Sequence, residues 1–442
     1  MPKFRLYLAI SLVLSLATAV SSPASAEPPT FSGDVAPILY RHCVECHRPG
    51  DIAPFSLLTY EDASRRAGLI ASATATHRMP PWKPEPDYGD FQGVRRLTDG
   101  EIATLRAWAN GGGLRGDASQ LPIPPVSEEG WRLGTPDRVL EMPAPFTIPA
   151  GGSDIYQCFV LPLDLAEDTV LSAVEFRPGT RAATHHSVFF VDTRRIGRWR
   201  DGGSEEPGYR CFGGVGVRPT DVVGGWTPGA TPTRLPEGVG RRLKKGSDLV
   251  IQNHYHPTDR IETDQSSVAL YFSKNQVEKT VFGFPLGKPD FLIPAGAKRH
   301  RVASSFVTPI DLEVIGLSPH MHLLGSEIRV TATLPDGTVR PMIWIRQWDF
   351  NWQGEYTYTT PMRLPKGTRI DVESFYDNSV ENPRNPNSPP QPVRWGESTT
   401  DEMNVVLVHC QTPHPGDELS VMWDVAMQQP AWVQVGVGGG RR

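Results

Sequence analysis

The spacing of apolar residues changes once along this chain, near residue 121, and that change restricts the possible folds more than any other feature. Before it, Val35 and Leu39 follow helical spacing, and a capping sequence, Thr98-Asp-Gly-Glu101, opens another helix that reaches Trp108. After it, short segments rich in Val, Ile, Phe, Thr and Tyr alternate with turns. The 42 Gly and 43 Pro suit such a turn-rich chain. We predict a multi-domain protein: a small all-α unit at 27–118, a Pro-rich linker at 119–130, and antiparallel β-sandwiches of jelly-roll type.

The β-rich part repeats itself weakly. Thr147-Ile-Pro-Ala-Gly151 recurs as Leu292-Ile-Pro-Ala-Gly296, and the segment from Lys245 to Tyr255 is matched by that from Lys366 to Tyr376. The matches keep their order, which favours duplication of one unit, although Pro-Ala-Gly and Lys-Gly turns also recur by chance in β proteins. The sequence thus predicts a first β-sandwich at 131–285 and a second at 286–442.

The N-terminal unit carries a covalent haem motif. In Cys43-Val44-Glu45-Cys46-His47, two thiols are spaced to attach to haem vinyl groups, and the following histidine is placed to ligate iron. A local disulfide or half of a zinc site are the alternatives. Residues 28–116 resemble the cytochrome c family, which implies one covalently attached haem c. We expect Met79 as the sixth iron ligand, with His77 as its rival.

The histidines of the β-rich part indicate a metal. Three close pairs occur: His185-His186, His254-x-His256 and His320-x-His322. Alternate residues of a strand share a face, so His320 and His322 can bind one ion, whereas adjacent His185 and His186 converge only at a bulge or strand end. The alternative is that these histidines satisfy local hydrogen bonds.

The donor types narrow the choice of metal. Imidazoles suit zinc or copper, and an added thioether favours Cu(I). Met403 lies in a polar segment, where a methionine has little structural reason to be. His254 can complete the first pair, but the matching residue of the repeat is Phe375, so the second pair must recruit its third ligand elsewhere.

Six ordered motifs give the chain a resemblance to a known family. They are His185-His186, Gly224-Gly-Trp-Thr-Pro-Gly-Ala230, Gln252-Asn-His-Tyr255, His320-Met-His322, Tyr376-Asp-Asn-Ser379 and Asp401-Glu-Met403. In this order they resemble the copper type II, ascorbate-dependent monooxygenases, which include peptidylglycine α-hydroxylating and dopamine β-monooxygenases. The resemblance covers about residues 130–440.

The resemblance implies two copper ions, one in each sandwich, with a cleft between them. His185, His186 and His254 would hold the electron-transfer copper. His320, His322 and Met403 would hold the copper that binds O2 and hydroxylates a C–H bond of a small organic substrate.

An electron donor is also implied, either an ascorbate-like reductant or a redox protein. We hypothesise that the fused haem passes electrons to the three-histidine copper and then to the second copper. A non-catalytic haem and copper electron-transfer or copper-handling protein remains the alternative.

The cysteines outside the haem motif add two expectations. The resemblance implies a disulfide between Cys158 and Cys211, which leaves Cys410 unpaired. His409-Cys410, with His414 and Met422, also suggests a blue-copper loop as a rival site.

The chain departs from the peptidylglycine enzymes where those enzymes hold the substrate carboxylate. The matching positions are Ser318, Val405 and Leu407, so a peptide substrate is not expected. The aromatic residues at 344–352 are predicted to form one strand, which suits a sandwich core or the lining of an apolar cleft.

The N-terminus predicts export. Residues 1–26 combine Lys3 and Arg5, an apolar run and a small-residue cleavage sequence, which is typical of a secretory signal; a retained anchor is the alternative. We expect a periplasmic or extracellular protein with no membrane span after cleavage. The formal net charge of -5 does not favour binding to nucleic acid.

Overall fold

The N-terminal unit is a small helical layer. The computed structural model describes residues 27–49, 53–125, 130–212, 214–217, 221–414 and 416–430, so the expected signal at 1–26 lies outside the described residues. A π-helical turn, Phe31–Val35, leads into α1 (Ala36–His42), followed by α2 (Tyr60–Ser64), α3 (Ala67–Ala75), α4 (Asp99–Asn110) and a 3-10 turn, Ala118–Gln120.

Helix α4 shows how the sequence forms this layer. The Thr98 hydroxyl accepts the backbone N–H of Glu101, and the Glu101 carboxylate accepts that of Thr98 at 2.8 Å, which forms the predicted capping box. Leu105 and Trp108 from this helix are fully buried against Phe31. The prediction of a helix reaching Trp108 is confirmed.

Strands dominate the chain beyond residue 137. In the first half they are β1 (Arg138–Glu141), β2 (Phe146–Ile148), β3 (Ile155–Pro162), β4 (Thr169–Arg177), β5 (Thr184–Asp192), β6 (Tyr209–Arg210), β7 (Asp221–Trp226), β8 (Val239–Leu243), β9 (Asp248–Tyr255), β10 (Glu262–Asp264) and β11 (Ser267–Phe272). In the second half they are β12 (Lys279–Gly287), β13 (Leu292–Ile293), β14 (His300–Val307), β15 (Leu312–His320), β16 (Gly325–Thr333), β17 (Val339–Ile345), β18 (Tyr356–Leu364), β19 (Arg369–Tyr376), β20 (Val393–Arg394) and β21 (Val405–Gln411). Helix α5 (Ile196–Asp201) follows β5, and α6 (Asp417–Gln428) follows β21.

Three large sheets are formed by the strands of the two halves, which we call the first β layer (β1–β11) and the second β layer (β12–β21). An eight-stranded sheet has the order β1-β11-β4-β8-β12-β21-β15-β18, a five-stranded sheet the order β6-β3-β9-β5-β7, and a four-stranded sheet the order β14-β19-β16-β17. β10 pairs with β2 and β13 with β20. Neighbouring strands are antiparallel except β8 and β12, which run parallel.

Apolar side chains fill the space between facing sheets. One core joins Phe159 and Ile251 of the five-stranded sheet to Leu270 of the eight-stranded sheet. A second core joins Phe306 of the four-stranded sheet to Val408 of the eight-stranded sheet. The predicted β-rich architecture is confirmed, and its layers are consistent with β-sandwiches.

The repeated segments occupy similar places in the two β layers. β9 lies between β3 and β5, and β19 lies between β14 and β16. Each follows a Lys-Gly turn whose glycine has positive φ, 76° at Gly246 and 84° at Gly367, a conformation that favours glycine. Pro285, at the expected boundary, lies within β12, which joins strands of both halves into one sheet. The division into domains therefore stays a prediction.

The segment after α3 attaches the helical unit to the second β layer. Phe91 is buried in the second core and stacks on Tyr358, with ring centroids 4.9 Å apart. The N–H of Gln92 donates to the Thr357 carbonyl at 2.8 Å, and Trp82 packs edge-on against Tyr356. These contacts cover the edge of β18, the last strand of the eight-stranded sheet. Within the described residues, no helix is both long and apolar enough to span a bilayer.

Candidate functional site

Three of the predicted ligands meet where β5 begins and β9 ends. His186 lies opposite His254, and the register shifts between Thr184 and His186, so that His185 is an extra residue in β5. This is the irregularity that adjacent converging histidines require. The possible ligand atoms of His185, His186 and His254 all lie within 4.8 Å of one another. We call these three residues the His185 set.

The electrostatics of the His185 set suit a metal ion. Burial and the neighbouring His254 and His320 lower the pKa of His185 to about 3, and burial lowers the pKa of His186 well below its usual value. Neutral imidazoles keep a lone pair for a metal. His185 Nδ1 and both ring nitrogens of His254 are buried without a hydrogen-bond partner in the described residues, which fits donors intended for an ion.

Two side chains surround His254. Tyr156 stacks on its ring, with centroids 4.2 Å apart. An Asp154 oxygen lies 3.2 Å from His254 Nε2, although the contact lacks hydrogen-bond alignment. The other Asp154 oxygen binds His256 Nδ1 at 2.8 Å, and His256 is exposed, which agrees with its interpretation as a neighbour of the site.

A second set of predicted ligands lies at the end of β15. The rings of His320 and His322 are 5.1 Å apart. His320 Nδ1 lies 2.5 Å from Gln353 Oε1, and His322 Nδ1 lies 3.2 Å from the Asp401 carbonyl. Because both partners are oxygen acceptors, each Nδ1 carries the proton and each Nε2 keeps a lone pair for a metal. Burial lowers the pKa of His320 to about 4 and that of His322 well below its usual value.

Met403 belongs to the same region. It lines a cavity of about 520 Å³ together with His186, His320 and His322. Its carbonyl accepts the Tyr376 hydroxyl at 2.8 Å. We call His320, His322 and Met403 the His320 set.

Glu402 holds this set, and sequence reasoning missed its role. Its buried carboxyl accepts the backbone N–H groups of His322 at 3.0 Å, Leu324 at 2.7 Å, Gly325 at 3.2 Å and Met403 at 3.0 Å. Burial raises the pKa of Glu402 to about 8, although the four hydrogen bonds act to lower it. The sequence signal was its place inside the Asp401-Glu-Met403 motif.

The two sets are close to each other. The rings of His186 and His320 are 6.3 Å apart, and Phe350 stacks on His185 at 4.5 Å and contacts His322 at 5.6 Å. The sequence predicted two separate pockets with a cleft between them, whereas the structure brings the nearest rings of the two sets together at the wall of one cavity.

The aromatic segment at 344–352 is divided by the fold. β17 ends at Ile345, so the segment is not one strand. Trp348 and Phe350 are buried, and Trp352 lines the cavity. Both expected uses, core and cavity lining, therefore occur.

The haem motif forms a compact turn. The His47 N–H donates to the Cys43 carbonyl at 2.8 Å, and Cys43 and Cys46 are not disulfide-bonded. His47 Nδ1 lies 3.1 Å from the Phe55 carbonyl, so Nδ1 is the donor and Nε2 remains for iron. His77 is exposed and Met79 is partly buried. The Nε2 of His47 is thus suited to the iron ligation predicted for this residue.

The structure bears on two predictions about the cysteines outside the haem motif. Cys158 and Cys211 form the expected disulfide, with Cα atoms 5.9 Å apart. Cys410 is buried in the second core, whereas the adjacent His409 lines the cavity on the opposite face of β21. Because they face apart, His409 and Cys410 do not form the rival blue-copper site.

The fold and site define a mostly β protein with a buried candidate metal centre made from histidines. No family model matches the chain. Over 125 residues it is 31% identical to peptidyl-glycine alpha-amidating monooxygenase A of Xenopus laevis, a stretch covering 28% of this chain and 12% of that protein. The match thus spans about an eighth of that relative's length, and it supports a distant relationship to a monooxygenase.

Solved structures add little. PNGF-II in a P21 crystal form has 11% sequence identity and a TM-score of 0.27, covering 60% of this chain and 65% of that chain. The PBSX exported protein XepA has 11% identity and a TM-score of 0.17, covering 59% and 92%. Likenesses this weak support no argument about function.

Proposed function

We propose that this protein is an exported copper-dependent monooxygenase that hydroxylates a C–H bond of a small organic molecule. The reaction balances as R–H + O2 + 2 electrons + 2 protons giving R–OH + H2O. The observation that carries the proposal is that His186 of the His185 set lines the same cavity as the three members of the His320 set, with its ring 6.3 Å from that of His320. Copper held by these imidazoles and the thioether would supply one-electron redox chemistry and reaction with O2.

The two sets have different tasks in this proposal. The His185 set, with imidazoles alone, transfers electrons, and the His320 set, with its thioether, is where the substrate reacts. Gln353 and the Asp401 carbonyl keep the protons of His320 and His322 on Nδ1, so that both Nε2 atoms keep a lone pair for a metal. Phe350 packs against rings of both sets and excludes water between them.

The helical unit is the electron entry in this proposal. Cys43 and Cys46 would attach one haem c, and His47 would ligate its iron through Nε2; the partly buried Met79, rather than the exposed His77, would be the sixth ligand. Glu45, inside the haem motif, lines the same cavity as His320, which supports a short path to the metal sites. A redox protein or an ascorbate-like reductant supplies the electrons.

An oxidising compartment agrees with the proposal. Residues 1–26 direct export to the periplasm or the exterior, and the disulfide between Cys158 and Cys211 is compatible with that location.

Metal analysis and oxygen uptake test this function. Purified mature protein should contain two copper ions per haem. With a reductant and a panel of small organic molecules, oxygen uptake should match hydroxylated product one to one. Met403→Ile should abolish this uptake while haem and the copper of the His185 set remain. Met362→Ile is the matched control, because Met362 is also partly buried in the second β layer.

Two results would contradict the proposal. Full turnover in Met403→Ile would remove the His320 set from the chemistry. Haem and copper that exchange electrons without any oxygen uptake would instead identify the alternative, a non-catalytic electron-transfer protein.

A further inference from the structure

The loop between β20 and β21, residues 395–404, contributes to the His320 set, and we call it the Met403 loop. Its two ends are bonded to each other. The Gly396 N–H donates to the Glu402 carbonyl at 3.1 Å, and the Glu402 N–H donates to the Arg394 carbonyl at 3.0 Å. Because these bonds join the ends of the loop, a displacement of its tip is passed on to Met403.

The C-terminal end of the Met403 loop serves the His320 set. The Asp401 carbonyl accepts the Nδ1–H of His322 at 3.2 Å, and Met403 lines the cavity together with His320 and His322. A thioether is an uncharged ligand on a flexible side chain, so its contribution to metal binding depends on where the backbone holds it.

The tip of the Met403 loop is bound by residues of the first half of the chain. The Tyr156 hydroxyl donates to the Glu397 carbonyl at 2.7 Å, and the Thr399 hydroxyl donates to the Asp154 carboxylate. Tyr156 is the second residue of β3, and Asp154 immediately precedes that strand. Both hydrogen bonds therefore cross from one half of the chain to the other.

Asp154 and Tyr156 also contact the His185 set. The Tyr156 ring stacks on that of His254, with centroids 4.2 Å apart. The Asp154 oxygen that accepts from Thr399, Oδ2, lies 3.2 Å from His254 Nε2. The same two side chains thus lie between a predicted ligand of one set and the loop that carries a predicted ligand of the other.

We propose that Asp154 and Tyr156 are positioning residues, which hold the Met403 loop against His254 and so keep Met403 where it can bind a metal with the two histidines of the His320 set. Partners that orient ligands in this way contribute about 10–100-fold to metal affinity. The role of Met403 as a ligand rests on the proposed function, whereas the anchoring of the loop does not.

Two conservative variants test the anchoring. Thr399→Val and Tyr156→Phe each remove one of the two hydrogen bonds and keep the rest of the side chain. In the metal-free full-length protein, amide hydrogen exchange at residues 397–403 should accelerate about tenfold in each variant, the effect of one lost hydrogen bond. Thr399→Ser, which restores the hydroxyl, should recover wild-type exchange.

Copper binding tests the consequence for Met403. In titrations of each variant against a Cu(I) chelator, one copper ion should bind about tenfold more weakly than in wild type. X-ray absorption of the Cu(I)-loaded protein should show a weaker copper–sulfur contribution, which Thr399→Ser should restore. A loss of stability alone would not change that contribution.

Thr359→Val and Tyr209→Phe are the matched controls. The Thr359 hydroxyl also donates to a carboxylate, that of Asp90 in the helical unit. The Tyr209 hydroxyl also donates to a carbonyl, that of Val215, at 2.7 Å. Both bonds lie outside the Met403 loop, so both variants should keep the wild-type exchange of that loop and the full copper–sulfur contribution.

Four results would overturn the proposal: wild-type exchange at residues 397–403 in both Thr399→Val and Tyr156→Phe, the same acceleration in the controls, no recovery in Thr399→Ser, or an unchanged copper–sulfur contribution although exchange is accelerated. A wild-type protein that binds no copper would refute the proposed function instead, and the exchange of the metal-free protein would still decide whether the loop is anchored.

Discussion

Replacing Glu402 by glutamine isolates the role of one buried carboxyl in shaping the His320 set. Oε1 accepts the N–H groups of Leu324 and Gly325, and Oε2 accepts those of His322 and Met403. Both carboxyl oxygens have lone pairs in either protonation state, whereas the amide nitrogen of glutamine has none to offer. Glu402→Gln therefore leaves two of the four N–H groups without an acceptor.

The structure sets the size of this effect. A buried N–H without a partner costs about 1–3 kcal/mol, so two such groups lower the free energy of unfolding by about 2–6 kcal/mol. Urea denaturation of the metal-free protein measures the loss, and hydrogen exchange should accelerate at residues 322–325 in particular. In Glu402→Gln the loss of copper affinity should be greater at the His320 set than at the His185 set.

Glu381→Gln is the control for this experiment. Glu381 is exposed and pairs with Lys298 at the surface, where such pairs contribute little. A change below about 0.5 kcal/mol is expected there. If Glu402→Gln were equally harmless, with unchanged exchange at 322–325, Glu402 would not hold the metal-binding segment, and the reasoning would be refuted.

Three further changes have defined outcomes. Gln353→Ala removes the acceptor of His320 Nδ1 and should weaken copper binding at the His320 set by about 10–100-fold in competition titrations, with no change at the His185 set. Phe91→Ala empties a buried site and should lower the unfolding free energy by about 3–5 kcal/mol; an unchanged denaturation curve would contradict the docking described. Replacing Cys158 and Cys211 by alanine removes a cross-link with a sequence separation of 53 and should lower the unfolding free energy by about 4 kcal/mol. A reductant should cause the same loss in wild type and no further loss in the variant.

The sequence predicted the features that depend on local pattern. Adjacent His185 and His186 could converge only through an irregularity, and β5 contains one at that point. The capping box at Thr98 and Glu101 predicted the start of α4 because both partners lie within one helical turn. The pairing of Cys158 with Cys211, implied by resemblance, is also present.

Features that depend on the order of strands in a sheet could not be predicted. Arg241 and His409 are 168 residues apart, and they meet because β8, β12 and β21 are successive strands of one sheet. No periodicity in the sequence encodes that order. The sequence therefore suggested His409 only for the rival blue-copper loop, and Ser318 only as a departure from the peptidylglycine enzymes. Glu402 was missed for a similar reason, because its four partners are backbone groups that no sequence motif displays.

The predicted repeat accounts for the difference between the two sets of predicted ligands and for their closeness. Tyr255 and Tyr376 end the matching strands β9 and β19, and both are fully buried, so the repeat keeps its tyrosine at equivalent places. The preceding residue is His254 in β9 but Phe375 in β19, where the ring lies beneath the Arg299 guanidinium at 3.9 Å. The predicted ligands of the second half therefore lie at the end of β15 and in the segment before β21. β15 belongs to the eight-stranded sheet, whereas β5 and β9 belong to the five-stranded sheet. A strictly symmetric repeat would have put both sets on equivalent sheets, each in its own sandwich. The change of sheet brings the ring of His320 to 6.3 Å from that of His186 and places both on one cavity.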